Sequence, residues 1–235
     1  IQDRLSWDWL EVITGLRYDN YSLKDSDNET SGDRLSPRIT VGITPFETAS
    51  LAGLQFYGTY AEGYRSPSLT ETLISGNHPA GVTFPFLPNP NLQPETGKTT
   101  EFGVNYKQND IFESGDALRV KAAYFHNNVD DYIDGVTLSP FAPGSGCSFG
   151  PGIPICFQYQ NFAKAKIYGL ELEGVYDAGW GYAGLSASIT NGHTISYKGV
   201  EADLATIPSS QVTAQLGLRF LEDKLTVGGE VQYNG

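Results

Sequence analysis

The nine residues YGLELEGVY, Tyr168 to Tyr176, decide the fold. In an extended chain successive side chains point to opposite faces. Tyr168, Leu170, Leu172 and Tyr176 therefore share one face, and Gly169, Glu171, Glu173 and Val175 the other. Such a strand needs an apolar medium on one side and water or polar partners on the other. The pattern returns along the chain. Leu118, Val120, Ala122 and Tyr124 alternate with Arg119, Lys121, Ala123 and Phe125, and Ile39, Val41 and Ile43 with Arg38, Thr40, Gly42 and Thr44. Val212, Ala214, Leu216, Leu218 and Phe220 oppose Thr213, Gln215 and Arg219. With similar runs over 10–18, 54–60, 101–107, 183–190 and 225–233, the sequence predicts roughly nine half-apolar strands and no helix.

Alternation alone does not say which face points inward. A sandwich or small soluble barrel buries the apolar set, whereas a membrane barrel turns it to lipid around a polar lumen. Three features favour the membrane barrel. The strands are about nine to eleven residues or longer, enough for a tilted strand to cross a bilayer. Short connections (45–50, 108–116, 177–181, 222–224) alternate with long ones (22–36, 65–95, 130–159, 192–208), as short periplasmic turns alternate with long extracellular loops. Aromatics such as Tyr18, Tyr60, Tyr106, Tyr124, Tyr176, Phe220 and Tyr233 end apolar stripes, as interfacial girdles do. Arg119, Lys121, Glu171, Glu173, Arg219 and Glu230 occupy the opposite face, where a wet lumen tolerates them; a midplane Arg or Lys on lipid would cost roughly 2–4 kcal/mol.

Composition agrees. Tyr, Phe, Thr and Gly are abundant and Met is absent. A net charge of -12 argues against nucleic acid as a partner. Acidic residues such as Asp25, Asp27, Glu29 and Asp33 gather in a connection, where they serve solubility. No apolar run approaches the roughly 18 residues of a transmembrane helix, and no secretory leader opens the chain. Cys147 and Cys156 sit in one loop, GSGCSFGPGIPIC, which reads as a disulfide in an oxidising compartment; their spacing fits no zinc pattern. Closing so short a loop stabilises by about 2–3 kcal/mol.

The chemistry-bearing residues are few. Of three histidines, His126 and His193 lie at outer strand ends and read as rim residues. His78 stands apart in YRSPSLTETLISGNHPAGVTFPFLPNPNLQ, residues 64–93, between two proline clusters and flanked by Gly76, Pro79 and Gly81. It is either a metal ligand or an ordinary loop histidine. Asp130 and Asp131, near His126 in sequence, offer a weak hydrolase alternative if the three converge. No nucleophile motif or zinc motif supports an enzyme.

These residues resemble the barrel of TonB-dependent outer-membrane haem receptors. Members carry an FRAP-like box and an NPNL box flanking a haem-ligand histidine in a long extracellular loop. Here the first stands as Tyr64-Arg65-Ser66-Pro67, with Tyr for Phe and Ser for Ala, and the second as Asn89-Pro90-Asn91-Leu92, followed by Gln93-Pro94-Glu95. His78 is the histidine between them. The segments GLRYD (15–19), LSPR (35–38), YAEG (60–63), the run from Asn161 and GLELE (169–173) resemble receptor barrels in general, so the likeness covers nearly the whole chain.

The resemblance implies an integral outer-membrane receptor that takes up haem, free or from a haemoprotein or haem carrier, as a transported ligand with no catalytic cofactor. It implies His78 as axial ligand to haem iron, the boxes as loop scaffold, and coupling to the TonB complex through an N-terminal plug. On this reading residues 1–235 are a segment of the barrel, with the plug and the remaining strands absent from the chain. The alternatives are a TonB-dependent receptor for a ferric siderophore or another nutrient, and a non-transporting outer-membrane barrel, either adhesin or hydrolase.

Overall fold

The computed structural model describes residues 1–24, 29–48, 50–77, 84–141, 144–147, 155–204, 207 and 209–235. His78, Pro79, Gly81, Asp25 and Asp27 lie outside the described residues. Thirteen strands form one sheet: β1 (Gln2–Ser6), β2 (Leu10–Lys24), β3 (Glu29–Ile43), β4 (Leu54–Arg65), β5 (Gly76–Asn77), β6 (Pro85–Leu87), β7 (Glu95–Asn109), β8 (Ala117–Leu138), β9 (Cys156–Asp177), β10 (Gly181–Ile195), β11 (Glu201–Asp203), β12 (Ser210–Phe220) and β13 (Leu225–Asn234). Nine of them have ten or more residues and follow one another as antiparallel neighbours: β2, β3, β4, β7, β8, β9, β10, β12 and β13. The sheet is open, with β1 and β13 at its edges.

The register sorts the side chains into rows. Phe56, Val104, Ala122, Leu172, Ala187, Val212 and Tyr233 are successive cross-strand partners on one face. One residue away on every strand, Gln55, Asn105, Lys121, Glu173, Ser186, Thr213 and Gln232 form the row on the other face. The apolar face lies open: Leu170, Leu172, Ile189, Leu216, Val227 and Val231 are exposed. The polar face pairs with itself. Asn105 Nδ2 donates to Gln55 Oε1 at 3.1 Å, the Tyr57 hydroxyl donates to Glu101, and Lys121 Nζ lies 3.5 Å from Glu101 and 3.9 Å from Glu171. From Tyr168 to Tyr176 the apolar face spans eight residue steps, about 27 Å along the strand, or roughly 20 Å of height at a barrel-like tilt. That is close to the ~25 Å apolar band of a membrane barrel.

At one end the connections are short. Asp116, 1% exposed, organises the turn between β7 and β8. Its carboxylate accepts the N–H groups of Ile111, Phe112 and Glu113 at 2.7, 2.9 and 3.1 Å and the Tyr176 hydroxyl at 2.8 Å. Between β9 and β10, Gly179 takes a positive φ of 81°, and Arg219 grips Asp177 through both terminal nitrogens at 2.6 and 2.8 Å.

The other end departs from the sequence reading. The span 22–36, expected as a loop, is strand in all its described residues, and 130–159 is strand at both ends: β2 reaches Lys24, β3 starts at Glu29, and β8 and β9 pair up to Leu138↔Cys156. Alternation fades where both faces meet water, but the backbone ladder continues, so periodicity underestimates strand length there. The expectation of no helix also fails, because Leu69–Leu73 forms α1. Apart from Ala123, the buried apolar residues among those described lie towards this end: Leu92, Val129, Ile133, Ala165 and Leu204, and the Cys147–Cys156 disulfide (Cα–Cα 5.7 Å) is buried as well.

Two outcomes follow. In a receptor containing this chain, Leu172→Arg on the apolar face should lower the unfolding free energy in lipid vesicles by about 2–4 kcal/mol, while Ser188→Arg, opposite Glu171 on the polar face, should be close to neutral. Asp116 is held at a pKa of about 2: burial opposes its charge, but the three backbone N–H groups and the Tyr176 hydroxyl outweigh that. Its contribution is complete above the unfolded value near 4 and disappears as pH falls towards 2. Hydrogen exchange at Ile111, Phe112 and Glu113 should accelerate beyond its intrinsic trend across that window, and Asp116→Asn should abolish the effect.

Candidate functional site

The two boxes meet at the long-loop end. Arg65 is the last residue of β4 and pairs with Glu95, the first of β7. Its Nε and Nη2 donate to the two Glu95 oxygens at 2.7 and 2.6 Å, a bidentate fork, while Nη1 reaches both Glu71 oxygens at 2.9 Å. Glu95 Oε1 also accepts the Ile133 N–H of β8 at 2.8 Å. One guanidinium thus joins β4, β7, β8 and α1. Hydrogen bonds to Glu95 raise the Arg65 pKa against a burial penalty. Burial opposes the Glu71 charge, but hydrogen bonds from the Ser68 N–H, Arg65 and the Ser68 hydroxyl hold its pKa below the ordinary value.

Helix α1 follows from local sequence. Pro67 cannot continue β4 pairing and is fully buried. Ser68 caps the helix and receives the Glu71 N–H at 3.2 Å, while Glu71 accepts the Ser68 N–H at 2.7 Å, a complete capping box. Buried Thr72 presents its carbonyl to the Asn89 N–H at 2.8 Å, so the helix holds the start of the second box.

The second box binds β9. Asn89 Nδ2 donates to the Tyr159 carbonyl at 2.9 Å, and Gln158 Nε2 to the Pro88 carbonyl at 3.1 Å. Asn161 accepts the Gln93 N–H at 2.8 Å and donates to the Gln93 carbonyl at 2.9 Å and the Asp131 carbonyl at 2.6 Å. The Asn91 N–H closes on Asn89 Oδ1 at 3.3 Å, and Leu92 is 1% exposed. Between the boxes, β6 pairs antiparallel with β5 through Asn77↔Pro85 and Gly76↔Phe86, and parallel with β9 through Phe86↔Phe157 and Leu87↔Gln158. Tyr64, the first box residue, packs on Tyr21 with ring centroids 6.2 Å apart.

The other sequence candidates separate. His126 stacks on Tyr168 at 6.3 Å, Tyr168 meets His193 edge-on at 6.5 Å, and Asn128 lies 3.3 Å from His126 Nδ1. These rings sit at the upper edge of the apolar face. Asp130 lies between Lys98 (3.7 Å) and Lys164 (3.9 Å), whereas Asp131, at φ 56°, accepts the Tyr197 hydroxyl at 2.6 Å. Burial and that hydrogen bond push Tyr197 up to about 12. The convergence of His126, Asp130 and Asp131 that a hydrolase would need does not occur. Sequence reasoning gave no role to Glu71, Glu95 or Asn161. The first had a signal, Ser68-x-x-Glu71 after a proline; the others are partners only through strand register.

The chain matches, over residues 1–235, a family model described as TonB dependent receptor-like, beta-barrel. It is 31% identical to a hemin receptor of Yersinia enterocolitica over 93% of this chain and 31% of that protein. It is 29% identical to heme/hemopexin utilization protein C of Haemophilus influenzae over 95% of this chain and 31% of that protein. Among solved structures, a double mutant of the Serratia marcescens hemophore receptor HasR, in complex with its hemophore HasA and heme, aligns at a TM-score of 0.69 and 28% identity, covering 96% of this chain and 41% of that one.

Glu95→Ala should free Arg65 and the Ile133 N–H together. Losing one partner of a buried pair costs about 3–5 kcal/mol; the Arg65 side chain is 45% exposed, so about 1–3 kcal/mol is expected here. Amide exchange at Ile133 should rise at least about fivefold, with no change at the Asp116 turn.

Proposed function

This chain belongs to the TonB-dependent receptor β-barrel family, and we propose that it is part of an outer-membrane receptor that takes up haem, free or from a haemoprotein or haem carrier. The chain spans about a third of the length of the curated relatives it matches. In this reading the rest of a longer protein supplies the closing strands and a plug coupled to the TonB complex. The apolar face meets lipid, the polar face lines the lumen, and the long-loop end lies outside the cell.

The observation that carries the reading is the anchoring of both boxes. Arg65, Glu95, Asn89 and Asn161 spend their polar groups on the protein itself, fixing the two ends of the segment that bears His78. The boxes act as scaffold and leave ligand contact to what lies between them. His78 is the proposed axial ligand to ferric haem iron, through a neutral imidazole nitrogen. The relatives named for hemin and for heme/hemopexin utilization support haem as the cargo. The disulfide supports an oxidising location for this end of the barrel.

Full-length receptor with His78→Ala should fold normally, lose most of the Soret shift on haem addition and fail to support growth on haem as iron source. Wild-type spectra and growth in that variant would remove His78 from the reading.

A further inference from the structure

Beside the boxes lies a cluster of aromatic rings that the scaffold role does not use. Phe84 and Phe86 have centroids 5.5 Å apart, Phe86 and Phe157 5.5 Å, and Phe157 and Tyr159 5.3 Å. Phe84 also lies 6.5 Å from Phe157. All four residues are half-buried rather than enclosed. Polar groups stand beside it: Asn89 and Asn161, both engaged in hydrogen bonds to backbone carbonyls.

Placement gives the cluster its meaning. β9 runs unbroken from Cys156 to Asp177, so Phe157 and Tyr159 share the side of Glu171 and Glu173. They continue the polar, lumen-side face upward past the apolar band. The parallel pairing of β6 with β9 brings Phe84 and Phe86 to the same place. Gly135 lets the Phe157 ring lie against the β8 backbone; a Cβ there would sit 2.1 Å from Phe157 Cζ. Four half-buried aromatic residues at the mouth of a polar barrel, bordered by a few fixed amides, have the make-up of a small-molecule site.

We propose that Phe84, Phe86, Phe157 and Tyr159 form a platform that binds the flat face of a porphyrin ring through aromatic contact, independently of the metal. The proposal rests on the haem-uptake reading and adds recognition of the macrocycle to coordination of the iron. Aromatic surfaces associate in offset or edge-to-face geometry at centroid separations of about 4.5–7 Å, the spacing these rings already keep among themselves. The platform and the iron ligand therefore predict different dependences on the metal.

The test uses full-length receptor in detergent, titrated with haem by absorbance and with metal-free protoporphyrin IX by fluorescence. Wild type should bind both. Phe86→Leu with Phe157→Leu should weaken both by roughly tenfold or more, while Phe86→Tyr and Phe157→Tyr, which keep the ring, should retain wild-type affinity. His78→Ala should weaken haem alone. Unchanged protoporphyrin binding in the double-Leu variant would overturn the platform, as would wild-type receptor that binds haem but not the metal-free ring; haem uptake would survive either result. Wild type that binds neither would overturn the haem reading itself. Protease resistance of each variant checks folding, and wild-type binding of the metal-free ring, together with the single variants Phe86→Leu and Phe157→Leu, keeps the test decisive if the Leu pair does not fold.

Discussion

A strand in an apolar medium has no water to satisfy its backbone, so every N–H and C=O must find a neighbouring strand, and every side chain turned to that medium must be apolar. The rest of this structure depends on that constraint. It fixes the row from Phe56 through Leu172 to Tyr233 and leaves the adjacent row, from Gln55 through Glu173 to Gln232, free of any demand for hydrophobicity. The second row is consequently amide, hydroxyl and charge. A charge on the first row costs a few kcal/mol, whereas one on the second finds a partner, as Lys121 does in Glu101 and Glu171.

Above the apolar band the constraint lifts, and different forces hold the chain. β8 and β9 continue as a paired ribbon, but their inner side supports polar bonds from side chain to backbone: Asn89 to Tyr159, Gln158 to Pro88, Asn161 to both Gln93 and Asp131. Each such bond is worth about 1 kcal/mol net. The Arg65 fork adds something no single neutral bond supplies, because one planar group satisfies two carboxylates in different elements and Glu95 passes the restraint to Ile133. Among the described residues, apolar burial at this end is confined to Pro67, Leu92, Val129, Ile133, Ala165, Leu204 and the disulfide.

This division explains what could be read from sequence. Where one face meets an apolar medium, residue type reports geometry directly, and YGLELEGVY alone gives strand, facing and environment. At the mouth Cys156–Tyr159 and Val136–Leu138 alternate over only a few residues beside a Gly-, Pro- and Cys-rich stretch, so they read as loop although they are ladder. The Arg65–Glu95 pair was equally hidden: thirty residues separate the two, and only the β4–β7 register makes them neighbours. α1 was legible in Ser68-x-x-Glu71 and was lost among the loop signals around it. The boxes were legible as motifs, but their partners on β9 were not.

The consequence for ligand capture lies in conformational entropy. Fixing a residue costs about 1–2 kcal/mol, and a long loop that had to order itself around a ligand would lose much of its affinity to that cost. Here both ends of the 65–95 segment are ordered in advance by contacts within the protein. β4 ends in the Arg65 fork, α1 is capped and tied to Asn89, β5 pairs with β6, and β6 is zipped to β9. Between the paired residues Asn77 and Pro85 the chain has its one histidine of the region, and the aromatic cluster begins at the residue before that closing pair. In the proposed reading, such a site gains affinity from rigidity more than from contact number. That accounts for two boxes rich in proline and amides standing on either side of a single imidazole.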